Sequence, residues 1–370
     1  MVGYLPYIIF ALTGVVLSIF DYVILKKNVR LILLIVNLLF FFFLAIFKGA
    51  TVGLDTIAYS QMYESASAPG LDFFVFVFGK APEILFYSFM YLFSNVLHTP
   101  EIVFSIFNYL IICFFLYLSF NKEKLALTKL NLFFFIGFFI MSFSGMRQAI
   151  SISISTFAII FLLNKKAERN AKIYFIYLAI IALAICFHSS ALVLVFVPLL
   201  FFIRIRKEVV PWPLLFLFIL PIINGQLFLY FSTIFDFEYQ PFSSRTSITM
   251  VLVGFLILFY YLININNKVS SIFIKRSLIN KVEYDDTPIN EYIILAYFSC
   301  LFMTFNNVSS IIPRFSMHFY VAPVFILIAL IGSIKTFKLS TIALTVILLF
   351  FAAYFIYSTP NLGLIPYVFR

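Results

Sequence analysis

The stretch Lys48-Gly-Ala-Thr-Val-Gly-Leu-Asp55-Thr-Ile-Ala-Tyr59 puts a cation, two glycines, a carboxylate and a tyrosine directly after a run of hydrocarbon side chains. Similar polar islands follow: Pro82-Glu83, then Arg147-Gln148 with Ser151 and Ser155, then Phe187-His188-Ser189-Ser190, Arg245, and Arg314 with His318 and Tyr320. A planar guanidinium grips phosphate bidentately and keeps its charge. Imidazole titrates near neutrality, and a carboxylate can accept a proton. Several arginines, a histidine and a carboxylate gathered on one membrane face therefore suit a lipid-linked diphosphate. The bland alternatives are that Arg147 snorkels to headgroups while the serines at i+4 and i+8 soften a helix contact, and that His188 is a hydrogen-bonded structural residue. No P-loop, serine elbow, His-Glu-x-x-His zinc motif or dinucleotide fingerprint competes. Asp236 and Glu238 have ligand spacing but no third partner, so no metal site is expected.

The elements that must carry these residues are membrane helices. The 370 residues are 64% hydrophobic and only 11% charged, whereas soluble domains average about 25% charged. Runs near the roughly 20 residues needed to span a bilayer recur throughout. They predict an all-α polytopic membrane protein of about twelve transmembrane helices, near Tyr4–Leu25, Leu31–Phe47, Pro100–Phe120, Leu130–Ser144, Met146–Leu163, Ile173–Phe187, Ser190–Ile203, Trp212–Phe231, Thr246–Ile263, Asn290–Phe305, Phe315–Ile334 and Ser340–Tyr357. Lys and Arg cluster in alternate breaks, which the positive-inside rule assigns to the cytoplasm. Both termini are then outside, and Glu83–Leu97 becomes a re-entrant or interfacial outer helix. The expected organisation is a single membrane domain over 1–370, with an outer loop at 48–99 and a cytoplasmic loop at 264–288.

The first helix lacks a basic n-region and a small-residue cleavage site, so it reads as a retained span. Cys113, Cys186 and Cys300 lie within hydrophobic runs and read as packing residues. The formal charge of +10 follows mostly from the cytoplasmic bias, and no nucleic-acid signal stands beyond it. No fixed-period repeat or matched pair of broken helices points to an inverted-repeat transporter.

The order Val52-Gly53-Leu54-Asp55 with Tyr59, Pro82-Glu83, Met146-Arg147-Gln148-Ala149, Phe187-His188-Ser189-Ser190-Ala191, then Arg314 with Tyr320 resembles the EpsG-like branch of the Wzy-type bacterial polysaccharide polymerases. The resemblance covers nearly the whole chain and departs at Lys48, where the family pattern usually has arginine. It implies a GT-C-like membrane glycosyltransferase that polymerises O-antigen or a related surface polysaccharide. Such enzymes move the growing glycan from undecaprenyl diphosphate to the non-reducing end of an undecaprenyl diphosphate-linked repeat unit.

On that basis Arg147, Arg314 and Arg245 are expected to hold the diphosphate, with Asp55 the first choice of base and His188 the second. Lys48, Tyr59, Glu83, Gln148, Ser151, His318 and Tyr320 are expected on the substrate side. The implied partners are the lipid-linked oligosaccharide, membrane lipids and a Wzz-type chain-length co-polymerase, with no cofactor. The implied location is the bacterial cytoplasmic membrane, with the site facing the periplasm or exterior. An O-antigen ligase-like transferase and a non-enzymatic transporter of lipid-linked oligosaccharide remain as alternatives.

Overall fold

The computed structural model describes residues 2–23, 26–49, 51–165, 170–200, 289–304, 312–334, 336–362, 364–365 and 367. Every element among them is helical. In chain order they are α1 (Leu5–Val23), α2 (Lys27–Ile46), α3 (Thr56–Ala66), α4 (Phe73–Phe78), α5 (Ile84–Tyr91), α6 (Glu101–Phe120), α7 (Ala126–Phe133), α8 (Phe139–Ser144), α9 (Met146–Asn164), α10 (Ala171–Phe187), α11 (Val197–Leu200), α12 (Ile289–Thr304), α13 (Ile312–Met317), α14 (Val321–Gly332) and α15 (Phe337–Ser358). Six stretches among the described residues are long and apolar enough to cross a membrane: α1, α2, α6, the continuous run Ala126–Ser144, α9 and α15. These apolar helices mark a membrane protein. The runs expected at Trp212–Phe231 and Thr246–Ile263, with Arg245, Asp236, Glu238 and the loop 264–288, lie outside the described residues.

The described chain forms two compact units. The first contains residues 1–162, 169–192 and 336–370; the second contains 163–168 and 193–335. At the centre of the first unit stands the run Ala126–Ser144, of which 94% is buried, whereas α1, α2, α6 and α15 are only 33–39% buried. α1 packs on α7 and α15, and α2 packs on α6 and α7. The outward stripe Leu5, Ile9, Leu12, Val16, Phe20 and Val23 on α1 is exposed at helical spacing, as expected of a face turned to lipid.

Inside, aromatic rings do most of the filling. Phe10 meets Phe139 at 4.6 Å between centroids, Phe41 meets Phe134 at 4.9 Å, and Phe139 meets Phe355 at 5.0 Å. Each such pair adds about 0.5–1.5 kcal/mol beyond its buried area. The central run kinks at Gly137, whose φ of 147° no side chain tolerates well, and a π-helical turn over Phe134–Phe138 takes up the change of direction.

Polar groups at this depth are tied to one another. Asp21 pairs with Arg30 and accepts from the Thr128 amide at 3.1 Å. Asn131 donates to Gly14 O at 3.0 Å and accepts from Asn37 at 2.7 Å. This network links α1, α2 and α7, with each member satisfying part of another's bonding capacity where water is scarce.

Two expectations from the sequence change. The 190–203 run begins not as an α-helix but as a 3-10 helix, Ser189–Phe196, and turns α-helical only in the short α11. The single helix expected over Phe315–Ile334 is two, α13 and α14, separated by a turn at His318–Tyr320. Pro198 and Pro323 each fall in the first turn of the helix that follows the break, where a missing amide is tolerated and through which an uninterrupted helix would lose a bond. The segment from residue 83 takes the expected short form: α5 runs into a π-helical turn at Leu92–Val96, together too short to cross a bilayer.

Candidate active site

The site assembles where five segments of the first unit meet. α2 ends at Ile46, and the chain then turns through Lys48–Asp55 and is pinned onto the end of α8. The Lys48 ammonium donates to the Phe143 carbonyl and, at 3.3 Å, to the Thr56 hydroxyl. The Thr56 hydroxyl donates to Val52 O at 2.7 Å, and the Leu54 amide meets Ser144 Oγ at 3.4 Å. Burial pulls the Lys48 pKa down to about 7, against the opposing charges of Glu101 and Asp55.

Gly53 makes the turn possible. Its φ is 99°, and a Cβ built there would lie inside van der Waals contact of the Phe143 carbonyl oxygen. Gly53→Ala should therefore lower stability by about 1–3 kcal/mol from backbone strain alone, with the clash adding to it. A melt of the detergent-solubilised protein reads this, and an unchanged midpoint would show that the turn is not constrained as described.

The same anchor fixes Arg147. α8 ends at Ser144, Gly145 breaks the helix, and α9 begins at Met146, so Arg147 sits in its first turn. One guanidinium nitrogen bonds Glu83 Oε2 at 2.5 Å and Tyr87 OH at 2.7 Å. The guanidinium carbon lies 5.8 Å from the centroids of Tyr59 and Phe86 and 5.6 Å from that of Tyr87. These rings cage the cation. Its Nε is buried without a partner.

Glu83 is the hub. It precedes the first residue of α5, is buried, and uses its second oxygen for His188 Nδ1. The Ser189 amide and hydroxyl approach the same oxygen at 3.4 and 3.5 Å. Burial pushes its pKa up, but the His188 hydrogen bond and the Arg147 charge outweigh this and hold the carboxyl below its usual value.

His188 follows the last residue of α10, with its backbone extended. Its position is fixed from α9, because Ser151 Oγ donates to Ala184 O at 2.9 Å and approaches His188 O at 3.5 Å. The serine thus ties two helices together. Ser155 donates within its own helix, to Ile152 O at 3.0 Å.

Asp55 is exposed at the start of α3, and its side chain caps nothing. Tyr59, one turn on, is buried against Arg147, with its hydroxyl 3.5 Å from the Arg147 amide. Gln148 is buried beside Arg147. The structure therefore brings together Tyr59, Glu83, Arg147, Ser151 and His188, with Lys48 bracing the loop. Arg314 is exposed on α13, while His318 and Tyr320 are buried in the turn that follows it, all three in the second unit.

Sequence reasoning passed over Tyr87 and Phe86. The signal for Tyr87 was present, since Glu83 and Tyr87 stand four residues apart, the spacing that aligns side chains along one helical face.

No curated protein and no solved structure shows a significant match to the chain. The EpsG family model matches residues 30–369, a span that takes in the Lys48 loop, Glu83, Arg147 and His188. On that match over most of its length, the chain belongs to the EpsG family.

Proposed function

We propose that this protein is a membrane glycosyltransferase that polymerises a surface polysaccharide, drawing a glycan from a polyprenyl diphosphate carrier. Membership of the EpsG family supports a polymerase-like role. The observation that carries the chemistry is the Arg147–Glu83–His188 cluster, at the starts of α9 and α5 and the C-terminal end of α10.

The chain transferred is the growing glycan of an O-antigen or exopolysaccharide, and the acceptor is a hydroxyl at the non-reducing end of a carrier-linked repeat unit. The acceptor oxygen attacks the anomeric carbon as its bond to the diphosphate breaks. The hydroxyl proton passes to a base, and the carrier leaves as the diphosphate. Direct displacement inverts the anomeric centre, in the manner of GT-C enzymes, and cationic side chains take the place of a metal at the leaving group.

His188 replaces Asp55 as the preferred base. Its Nδ1 faces Glu83, and no described residue bonds Nε2. A carboxylate on Nδ1 selects the tautomer whose Nε2 lone pair can accept a proton. Asp55 has no such orienting contact. Arg147, held in an aromatic cage with a buried unpartnered Nε, is placed to stabilise charge on the departing diphosphate without reorganising. A Wzz-type co-polymerase would set chain length.

The active end belongs outside the cytoplasm. Lys26, Lys27 and Arg30 flank the start of α2, and the Lys48 loop follows its end, about 30 Å away at 1.5 Å per residue. The positive-inside rule puts the basic end in the cytoplasm.

A deletion strain tests the reaction. It should lose polymer and accumulate single repeat units on the carrier lipid. Complementation with His188→Gln should leave polymer formation about 10²–10⁴-fold down, the range for a lost general base. Asp55→Asn should restore polymer to within about tenfold, since it removes no base. The reverse pattern would return the base role to Asp55, and normal polymer in the deletion strain would refute the function.

A further inference from the structure

Beside the ion cluster, α3 and the segment 94–101 enclose a cleft of about 390 Å³. Its wall includes Ser60, Tyr63, Glu64, His98, Thr99 and Glu101, and no lysine or arginine lines it. The wall is built from local constraints. Ser60 Oγ donates to Glu101 Oε1 at 2.9 Å, and Tyr63 OH donates to Thr99 O at 2.8 Å. His98 adopts a left-handed backbone, φ 49°, that turns the chain from the π-helical end of the α5 segment into α6. The volume is at the small end of ligand pockets.

The chemistry of this wall differs from that of the neighbouring site. Ionised carboxylates accept hydrogen bonds only, so Glu64 and Glu101 suit paired hydroxyls or an ammonium and repel phosphate or a sugar acid. The hydroxyls of Ser60, Ser67, Ser94 and Thr99 already donate to protein oxygens, so they too offer the cleft acceptor lone pairs.

The cleft and the ion cluster share α3 as a wall. Tyr59, which touches Arg147, and Tyr63, which lines the cleft, are one turn apart, about 6 Å along the axis.

We infer that this cleft is a glycan subsite that takes an uncharged or amino-bearing sugar of the lipid-linked chain. The assignment rests on the proposed polymerase function and names its sugar class. The probe is a set of oligosaccharides released from the host's own surface polysaccharide by partial acid hydrolysis. Binding to the full-length protein in lipid nanodiscs is followed by saturation-transfer NMR.

The wild-type protein binds the neutral or amino-bearing fragments. Glu64→Gln and Glu101→Gln each weaken binding about tenfold, the effect of losing a hydrogen bond to a charged group. Ser67→Trp, at an exposed position on the cleft wall, abolishes binding by filling the space, and it serves where Glu101→Gln does not fold. Undiminished binding in Glu64→Gln and Ser67→Trp, absence of binding in the wild type, or a preference for acidic fragments overturns the subsite. Failure of the polymerase function shows elsewhere, as normal polymer in the deletion strain, so the two outcomes are separable.

Discussion

Glu83→Gln is expected to abolish polymer formation and to destabilise the protein at the same time. The substitution keeps the shape of the side chain but removes the charge that both Arg147 and His188 face. Removing one member of a buried ion pair leaves the other uncompensated at a cost of about 3–5 kcal/mol, and the low end applies because Arg147 keeps some access to water. Activity should fall about 10³-fold, since the carboxylate that orients His188 is lost with the partner that fixes the cation.

The pH dependence supplies a second readout. The Glu83 pKa is lowered on folding, so its stabilising contribution is fully present above the unfolded value near 4.5 and disappears as pH falls through the lower folded value. As pH falls below the unfolded value of 4.5, the wild-type melting temperature should drop more steeply than that of Glu83→Gln. Because Glu83 and His188 act as a unit, Glu83→Gln combined with His188→Gln should cost little more activity than either alone. Additive losses in activity, or parallel melting curves against pH, would show that the carboxylate does not couple to the histidine.

Arg147→Lys is expected to lose at least 100-fold in polymer formation although the charge is unchanged. The guanidinium serves Glu83 and Tyr87 from one nitrogen and sits among three rings, with Nε still unengaged. A lysine ammonium is a compact point charge without the planar fork. It cannot hold the carboxylate, stack in the cage and turn a donor toward a diphosphate together. Loss of the stacking alone costs about 0.5–2 kcal/mol. If the arginine acts on charge that develops as the diphosphate leaves, kcat should fall while binding of the carrier-linked substrate changes little. Wild-type turnover in Arg147→Lys would reduce Arg147 to a counter-ion for Glu83.

The roles of the serines and of Asp55 show where sequence patterns stop. Ser151 and Ser155 follow Arg147 at helical spacing, which is compatible with a polar cavity wall and equally with a packing seam. Periodicity gives the face a residue occupies, not what lies opposite it. In the folded chain α10 lies opposite, and the Ser151 hydroxyl meets its carbonyls. Asp55 stands in the most conspicuous polar stretch of the chain, yet it is exposed, while its neighbours Gly53, Thr56 and Tyr59 do the fitting.

The sequence alone determined that this is a helical membrane protein and which polar residues interrupt its hydrocarbon, because the bilayer requires long apolar runs and makes each exception expensive. It also located Glu83, Arg147 and His188 as exceptions. Tertiary structure decided that they meet. Glu83 lies 64 residues from Arg147 and 105 from His188, and no local rule spans such distances. Their meeting depends on α5 packing against α10 and on the α8–α9 break turning Arg147 toward it. A carboxylate taken for a substrate contact in the linear chain thereby becomes the shared partner of a cation and an imidazole, since a buried charge settles where the fold supplies its counter-charges.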